Sequence, residues 1–206
     1  MRITAALDDV LATRGHVRIL RALDSLPEGF AVSARDMARR AEVAHNRASE
    51  VLSSLTEIGL TRVQRAGRAD LYQLNRDHIM YPGVHELFQQ EAAIQPALQK
   101  FLRRRLAKVR RVREAYIFGS VARGESRTGS DIDVALVIPP SGPTATERSQ
   151  IDEIATEVRE KFGSELGVHL SPQPVVDRVD GRAGRDLWRR IQTEGIRLLP
   201  IEGRRG

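Results

Sequence analysis

The chain has 206 residues, room for one large domain or two small ones, and with 41% hydrophobic residues it can bury real cores. It contains no cysteine, which excludes disulfides and thiolate metal sites. No apolar run approaches the ~20 residues that span a bilayer and the N-terminus lacks a secretory pattern, so a cytoplasmic location without a membrane partner is expected. The net charge of +6 is uneven: residues 1–113 carry 20 Lys/Arg against 12 Asp/Glu, and residues 114–206 carry 13 against 15. Such asymmetry suggests a nucleic-acid-facing half joined to a half with another task.

Residues 9–26 read as a helix, with Val10, Leu11, Val17, Leu20 and Leu23 as its apolar stripe and Pro27-Glu28-Gly29 as its end. Ser33 followed by Asp36 resembles a capping box and starts a short helix to about Arg40. After the tight connection Ala41–Ala44, a second helix runs from about His45 to Ile58 with Ala48, Val51, Leu52, Leu55 and Ile58 on one side, and Gly59 stops it. Leu60–Arg65 and Ala69–Leu74 read as two strands around the basic turn Ala66-Gly67-Arg68.

That succession, with its Ile58-Gly59-Leu60 junction and Tyr72-Gln73-Leu74-Asn75 end, resembles the winged helix-turn-helix of bacterial and archaeal repressors over roughly residues 5–77. The resemblance implies that the helix beginning at His45 enters the DNA major groove. His45, Asn46, Arg47 and Glu50 are then the candidate base readers, and Arg65 and Arg68 in the wing touch phosphate or the minor groove. It also implies a homodimer on two half-sites. Residues 1–75 carry only 11 Arg against 9 acids, so solvated residues of a small helical protein-contact domain stay open as the other reading.

Tyr81-Pro82-Gly83 is read as a break, and residues 84–112 as a helix with Leu87, Ile94, Leu98, Leu102, Leu106 and Val109 among its apolar positions, kinked or restarted at Pro96. Residues 100–113 hold eight basic groups and no acid, with Lys100, Arg104, Lys108 and Arg111 at helical spacing. Such a ribbon serves a DNA backbone, an RNA substrate, a triphosphate or simply solvent.

The most informative stretch is 116–137. An apolar run ends in Gly119-Ser120, and ten residues later Asp131 and Asp133 open a second apolar run. Carboxylates two apart on a strand share a face and repel unless a cation lies between them; a hard, oxygen-binding ion such as Mg²⁺ suits the pair. A glycine bend lets backbone approach a phosphate closely. An exposed Asp pair or an ordinary Gly-Ser turn would explain either half alone; together they favour a nucleotide site.

The segment resembles the signature of minimal nucleotidyltransferases of the DNA polymerase β superfamily, Gly-Ser, ten residues, Asp-x-Asp, with Ala122-Arg123-Gly124-Glu125 and Gly129-Ser130 also in place. The resemblance implies transfer of a nucleoside monophosphate from ATP or another triphosphate, with release of pyrophosphate. Asp131 and Asp133 would hold one or two Mg²⁺ ions as the catalytic pair, and Gly119, Ser120, Arg123 and Ser130 form the nucleotide-binding set. Arg123 could equally face solvent. The acceptor would be a protein hydroxyl, an RNA 3′ end or a small molecule.

Pro139–Pro143 reads as a loop, Thr144 or Thr146 as the cap of a helix to about Phe162, residues 167–177 as a strand, and 186–199 as a closing helix and strand, where Glu194-Gly195-Ile196-Arg197-Leu198-Leu199 extends the resemblance. The superfamily pattern wants a third carboxylate on the 167–177 strand. His169 or Gln173 stands there instead, and Asp177 lies too far along. His169 is then either a base or a structural histidine. The expected fold is α+β: winged helix-turn-helix over 1–79, connector helix over 80–112, and a nucleotidyltransferase fold with a small mixed sheet over 113–206. Either the chain is a DNA-binding nucleotidyltransferase, or it is a transcriptional regulator whose nucleotidyltransferase-like half only senses nucleotide.

Overall fold

A computed structural model describes residues 4–127, 129–172 and 182–199. The chain divides into two compact units, Met1–Ala92 and Ala93–Gly206, and its content is α+β.

In the N-terminal unit the expected first helix is two. A short α1 (Ala6–Val10) precedes α2 (Arg14–Asp24), because the extended Thr13 caps α2, its hydroxyl accepting from His16 N at 3.4 Å. A strand of three residues, β1 (Ala31–Ser33), leads into α3 (Ala34–Ala41), capped by Ser33, which accepts from Asp36 N at 3.2 Å. Glu42, at φ 52, ends α3 in the left-handed region, and α4 (His45–Glu57) follows. Gly59, at φ 80, turns the chain into the hairpin β2 (Thr61–Ala66) and β3 (Ala69–Leu74), whose register runs from Thr61↔Leu74 to Ala66↔Ala69. β1 pairs with the other edge of β3; three residues are too few to show alternation in the sequence, so this strand was not expected. Ile19, Leu20, Leu23, Met37, Leu52 and Leu55 form the heart of the core, and burying each contributes roughly 1.5–3 kcal/mol.

The next helix, α5 (Tyr81–Leu106), starts three residues before the expected position and ends earlier, at Leu106. Pro82 does not break the chain, because the first helical turn needs no N–H there. Pro96 lies inside α5 and does not end it. Val84 and Phe88 pack in the core of the first unit, and Leu98, Phe101, Leu102 and Leu106 in that of the second.

The C-terminal unit is built on a mixed sheet of β4 (Glu114–Phe118), β5 (Ile132–Ile138), β6 (Leu166–Pro172) and β7 (Ile196–Leu199), in the order β6-β5-β4-β7. β5 and β6 run parallel; the other pairs are antiparallel. Between the strands lie the single turn α6 (Gly119–Ala122), α7 (Ala145–Phe162) and α8 (Arg182–Glu194). Thr144 caps α7 through a complete capping box with Glu147. One sheet face (Ala115, Ile117, Val134, Leu136) packs on α5 and α7, and the other (Tyr116, Ala135, Val137) on Trp188 and Ile191 of α8. Buried on the second face, the Tyr116 hydroxyl is pushed up to about 12, by desolvation first and then by its hydrogen bond to Glu114. Among the described residues no helix is long and apolar enough to cross a membrane.

Candidate active site

Asp133 is the second residue of β5, paired with Phe118 at the end of β4 and Gly167 near the start of β6. Its side chain follows the parity of Ala135 and Val137, so it stands on the α8 face. Two glycines make room for it. Gly119, at φ 74, turns the chain out of β4, and a Cβ there would overlap Asp133 Oδ2. On the other side, a Cβ at Gly167 would lie 3.1 Å from Asp133 Oδ1. The carboxylate therefore occupies a slot that any larger residue at 119 would close.

Asp131 precedes β5 and is exposed. Ile132, between the two aspartates, is buried and its N–H is fixed to Glu165 O at 2.8 Å, which anchors the start of the strand. His169, paired with Ala135, places Nε2 3.9 Å from Asp133 Oδ1 and its ring edge-on to Phe118, with centroids 5.2 Å apart. Thus His169, one of the two positions where the sequence pattern called for a carboxylate, stands beside Asp133. Gln173 and Asp177 lie outside the described residues. Among the described residues no three His, Cys, Asp or Glu side chains gather as a metal site. The Asp133 carboxylate in its slot, with Asp131 exposed two residues before it, still fits Mg²⁺, which keeps several waters and takes one or two carboxylates with substrate phosphates.

The expected nucleotide set is only partly free. Ser120 lies in α6, a single turn too short to carry a helix dipole, so its hydroxyl and the neighbouring amides are what it offers an anion. Ser130 is engaged in its own turn, accepting from Arg127 N at 2.9 Å. Arg123 pairs with Glu125 at 2.8 Å; that hydrogen bond, and then the carboxylate's charge, raise the guanidinium pKa further. Arg123 also borders a cavity of about 200 Å³ beside Gly119, closed by Leu187, Arg190 and Glu194 of α8. Gly167 was missed from the sequence. Its only signal was a glycine inside a predicted strand, which marks a close approach.

In the first unit, His45, Asn46 and Glu50 stand exposed on the first turns of α4, and Arg65 and Arg68 are exposed in and beside the hairpin turn. Arg47 is different. It donates to Thr13 Oγ1 at 2.8 Å, pairs with Glu50 at 3.1 Å and lies against Gly15, so it ties α4 to the cap of α2.

A family model described as nucleotidyltransferase domain matches residues 98–177, supporting such a domain in the second unit. No curated protein matches the chain. Among solved structures, a predicted DNA-binding transcriptional regulator from E. coli is 21% identical, covering 44% of this chain and 86% of its own, at a TM-score of 0.34. A candidate nucleotidyltransferase from Sulfolobus solfataricus is 22% identical, covering 42% and 78%, at a TM-score of 0.31. Likeness that loose carries no structural conclusion.

Proposed function

We propose that the protein is an Mg²⁺-dependent nucleotidyltransferase that moves a nucleoside monophosphate from ATP or another triphosphate to a hydroxyl acceptor, and that its first unit is a winged helix-turn-helix that binds DNA as a homodimer. The carrying observation is the Asp133 slot between Gly119 and Gly167 in a region matched by the nucleotidyltransferase family model. In this reading Asp131 and Asp133 hold the metal, which supplies charge neutralisation at the α-phosphate. Ser120 and the amides around Gly119 orient the phosphates. The acceptor oxygen forms a bond to the α-phosphorus as the bond to the bridging β-phosphate oxygen breaks, and pyrophosphate leaves. His169 Nε2 takes the hydroxyl proton from its place beside Asp133. The acceptor is a protein hydroxyl, an RNA 3′ end or a small molecule.

Incubation with α-labelled ATP and Mg²⁺ tests this. Asp131→Asn/Asp133→Asn is expected to abolish label transfer, with an unfolding midpoint close to wild type. Equal transfer by the double variant would sink the assignment. On the DNA side, His45→Ala/Asn46→Ala should lose sequence preference while keeping fold.

The absence of an acid at His169 and Gln173 favours a second reading, a regulator that senses nucleotide without turnover. It requires nucleotide with Mg²⁺ to raise the unfolding midpoint and change operator affinity without pyrophosphate release. Pyrophosphate accumulating above the aspartate variant's background removes it.

A further inference from the structure

The basic stretch 100–113 has a definite place in the second unit. Gln95 Nε2 donates to Val121 O at 3.3 Å, so α5 passes the α6 end of the sheet there. Arg113 N donates to Val137 O at 2.9 Å, so by Arg113 the chain has reached the other end of β5. At roughly 3.3 Å per residue, β5 puts about 20 Å between those ends. α5 also packs on the sheet face opposite to Asp133. Lys108 to Arg113 therefore lie far from the phosphates of a nucleotide at the Asp133 slot.

The cations are grouped. Lys108, Arg110, Arg111 and Arg113 border a hollow of about 630 Å³, together with Thr144 and Thr146. Lys100, Arg104 and Lys161 border a second, of about 240 Å³. Among the described residues the acid at the first hollow is Glu147: its Oε2 accepts from Thr144 N at 2.8 Å and from Thr144 Oγ1 at 3.0 Å, and its charge also faces Arg111. Among the described residues no acid borders the second, and the exposed acids of α7 (Asp152, Glu153 and Glu160) line neither. Arg105 is neutralised by Glu157 at 2.5 Å, and Arg103 donates to Arg197 O at 3.2 Å. Lys100, Arg104, Lys108 and Arg110 make no ion pair among the described residues. Lys100 with Arg104, and Lys108 with Arg110, hold like charges close together; such charges repel one another, and a polyanion relieves the arrangement.

The kind of polyanion follows from what is absent from the lining. Single strands are held by aromatic platforms on which bases stack. Among the described residues no ring borders the first hollow, and in the second Phe101 is only 7% exposed, with Lys161 Nζ 5.7 Å from its centroid. Separated cations without stacking surfaces suit the phosphates of a duplex, which fix position and carry no sequence.

We infer that this face of the second unit, from Lys100 and Arg104 to Lys108 and Arg110, docks the phosphate backbone of duplex DNA without reading its sequence. The choice of DNA over duplex RNA rests on the reading of the first unit given above. The contact is separate from the Asp133 slot.

The test is fluorescence anisotropy of the full chain on unrelated DNA duplexes of about 20 base pairs across a salt series. Each phosphate contact contributes about 0.9 to the slope of log affinity against log salt. Lys108→Gln/Arg110→Gln and Lys100→Gln/Arg104→Gln should each lower the slope by about 1–2, equally on every sequence, with the unfolding midpoint and label transfer to a small hydroxyl acceptor unchanged. Arg65→Gln/Arg68→Gln reports on the wing separately: if that variant alone is silent, the wing reading fails and this surface stands. Wild-type slopes in both basic-face variants overturn the inference. A slope loss confined to single strands or to RNA duplexes overturns it equally.

Discussion

In the N-terminal unit the exposed polar groups at the start of α4 stand on one continuous helix, held from one side by Ala48, Val51, Leu52 and Leu55. Around Asp133, by contrast, the groups come from β4, β5 and β6 and meet only through sheet pairing. The first arrangement tolerates change at one side chain without moving its neighbours. The second depends on residues that lack a side chain, because Asp133 lies against Gly119 and Gly167. A surface on a helix is additive; a slot between strands is cooperative.

The strongest way to break this contrast is in the two cores. Leu52 and Leu136 are both fully buried, and Leu→Ala at each should cost about 2–5 kcal/mol in denaturant unfolding. Leu136→Ala should also lower label transfer per folded molecule, since it loosens the strand carrying Asp133; Leu52→Ala should leave transfer intact. Equal loss of transfer in both would erase the distinction. Next comes Gly119→Ala, which combines a left-handed backbone with overlap on Asp133. About 1–2 kcal/mol of stability and up to ~100-fold in transfer should be lost. Gly167→Ala has no positive φ to strain, so transfer should fall while stability stays near wild type.

A smaller effect separates Arg47 from its neighbours on α4. Arg47→Ala removes the hydrogen bond to Thr13 and should cost about 1 kcal/mol in thermal unfolding, whereas His45→Ala and Asn46→Ala should cost almost nothing. The smallest concerns His16. Burial, and secondarily the charge of Arg47, lowers its pKa from 6.5, and its Nε2 has no hydrogen-bond partner among the described residues. The unfolded chain then binds a proton at a higher pH than the folded one. Stability supplied by neutral His16 is present above about 6.5 and is lost as pH falls towards the lower folded value. His16→Leu should flatten that acid limb in denaturant titrations between pH 7 and 5, both roughly chosen to bracket a histidine.

Much of the fold was legible because its signals are local. Gly59 and the β2–β3 turn, Thr144 with Glu147, and the buried stripe of α4 each follow from residues within a few positions of one another. The break at Thr13 was missed because the apolar spacing continues across it while a single hydroxyl interrupts the backbone. β1 was missed for its length. Pro96 misled in the other direction: buried contacts on Leu98, Phe101 and Leu102 hold a helix through a residue that propensity disfavours.

For the candidate site, the one-dimensional pattern singled out Asp131, Asp133 and the Gly119-Ser120 bend; it put both aspartates on one strand face, whereas β5 begins at Ile132 and leaves Asp131 just before it. It also showed that neither His169 nor Gln173, the two positions where an acid was expected, is acidic. What tertiary structure alone decided was proximity: that Gly167 leaves room for Asp133 beside it, that Phe118 sets the ring of His169, that Glu125 occupies Arg123, and that the basic stretch ends at the other end of the sheet. Strand register and helix direction are set by packing between residues distant in the chain, and no local spacing encodes them.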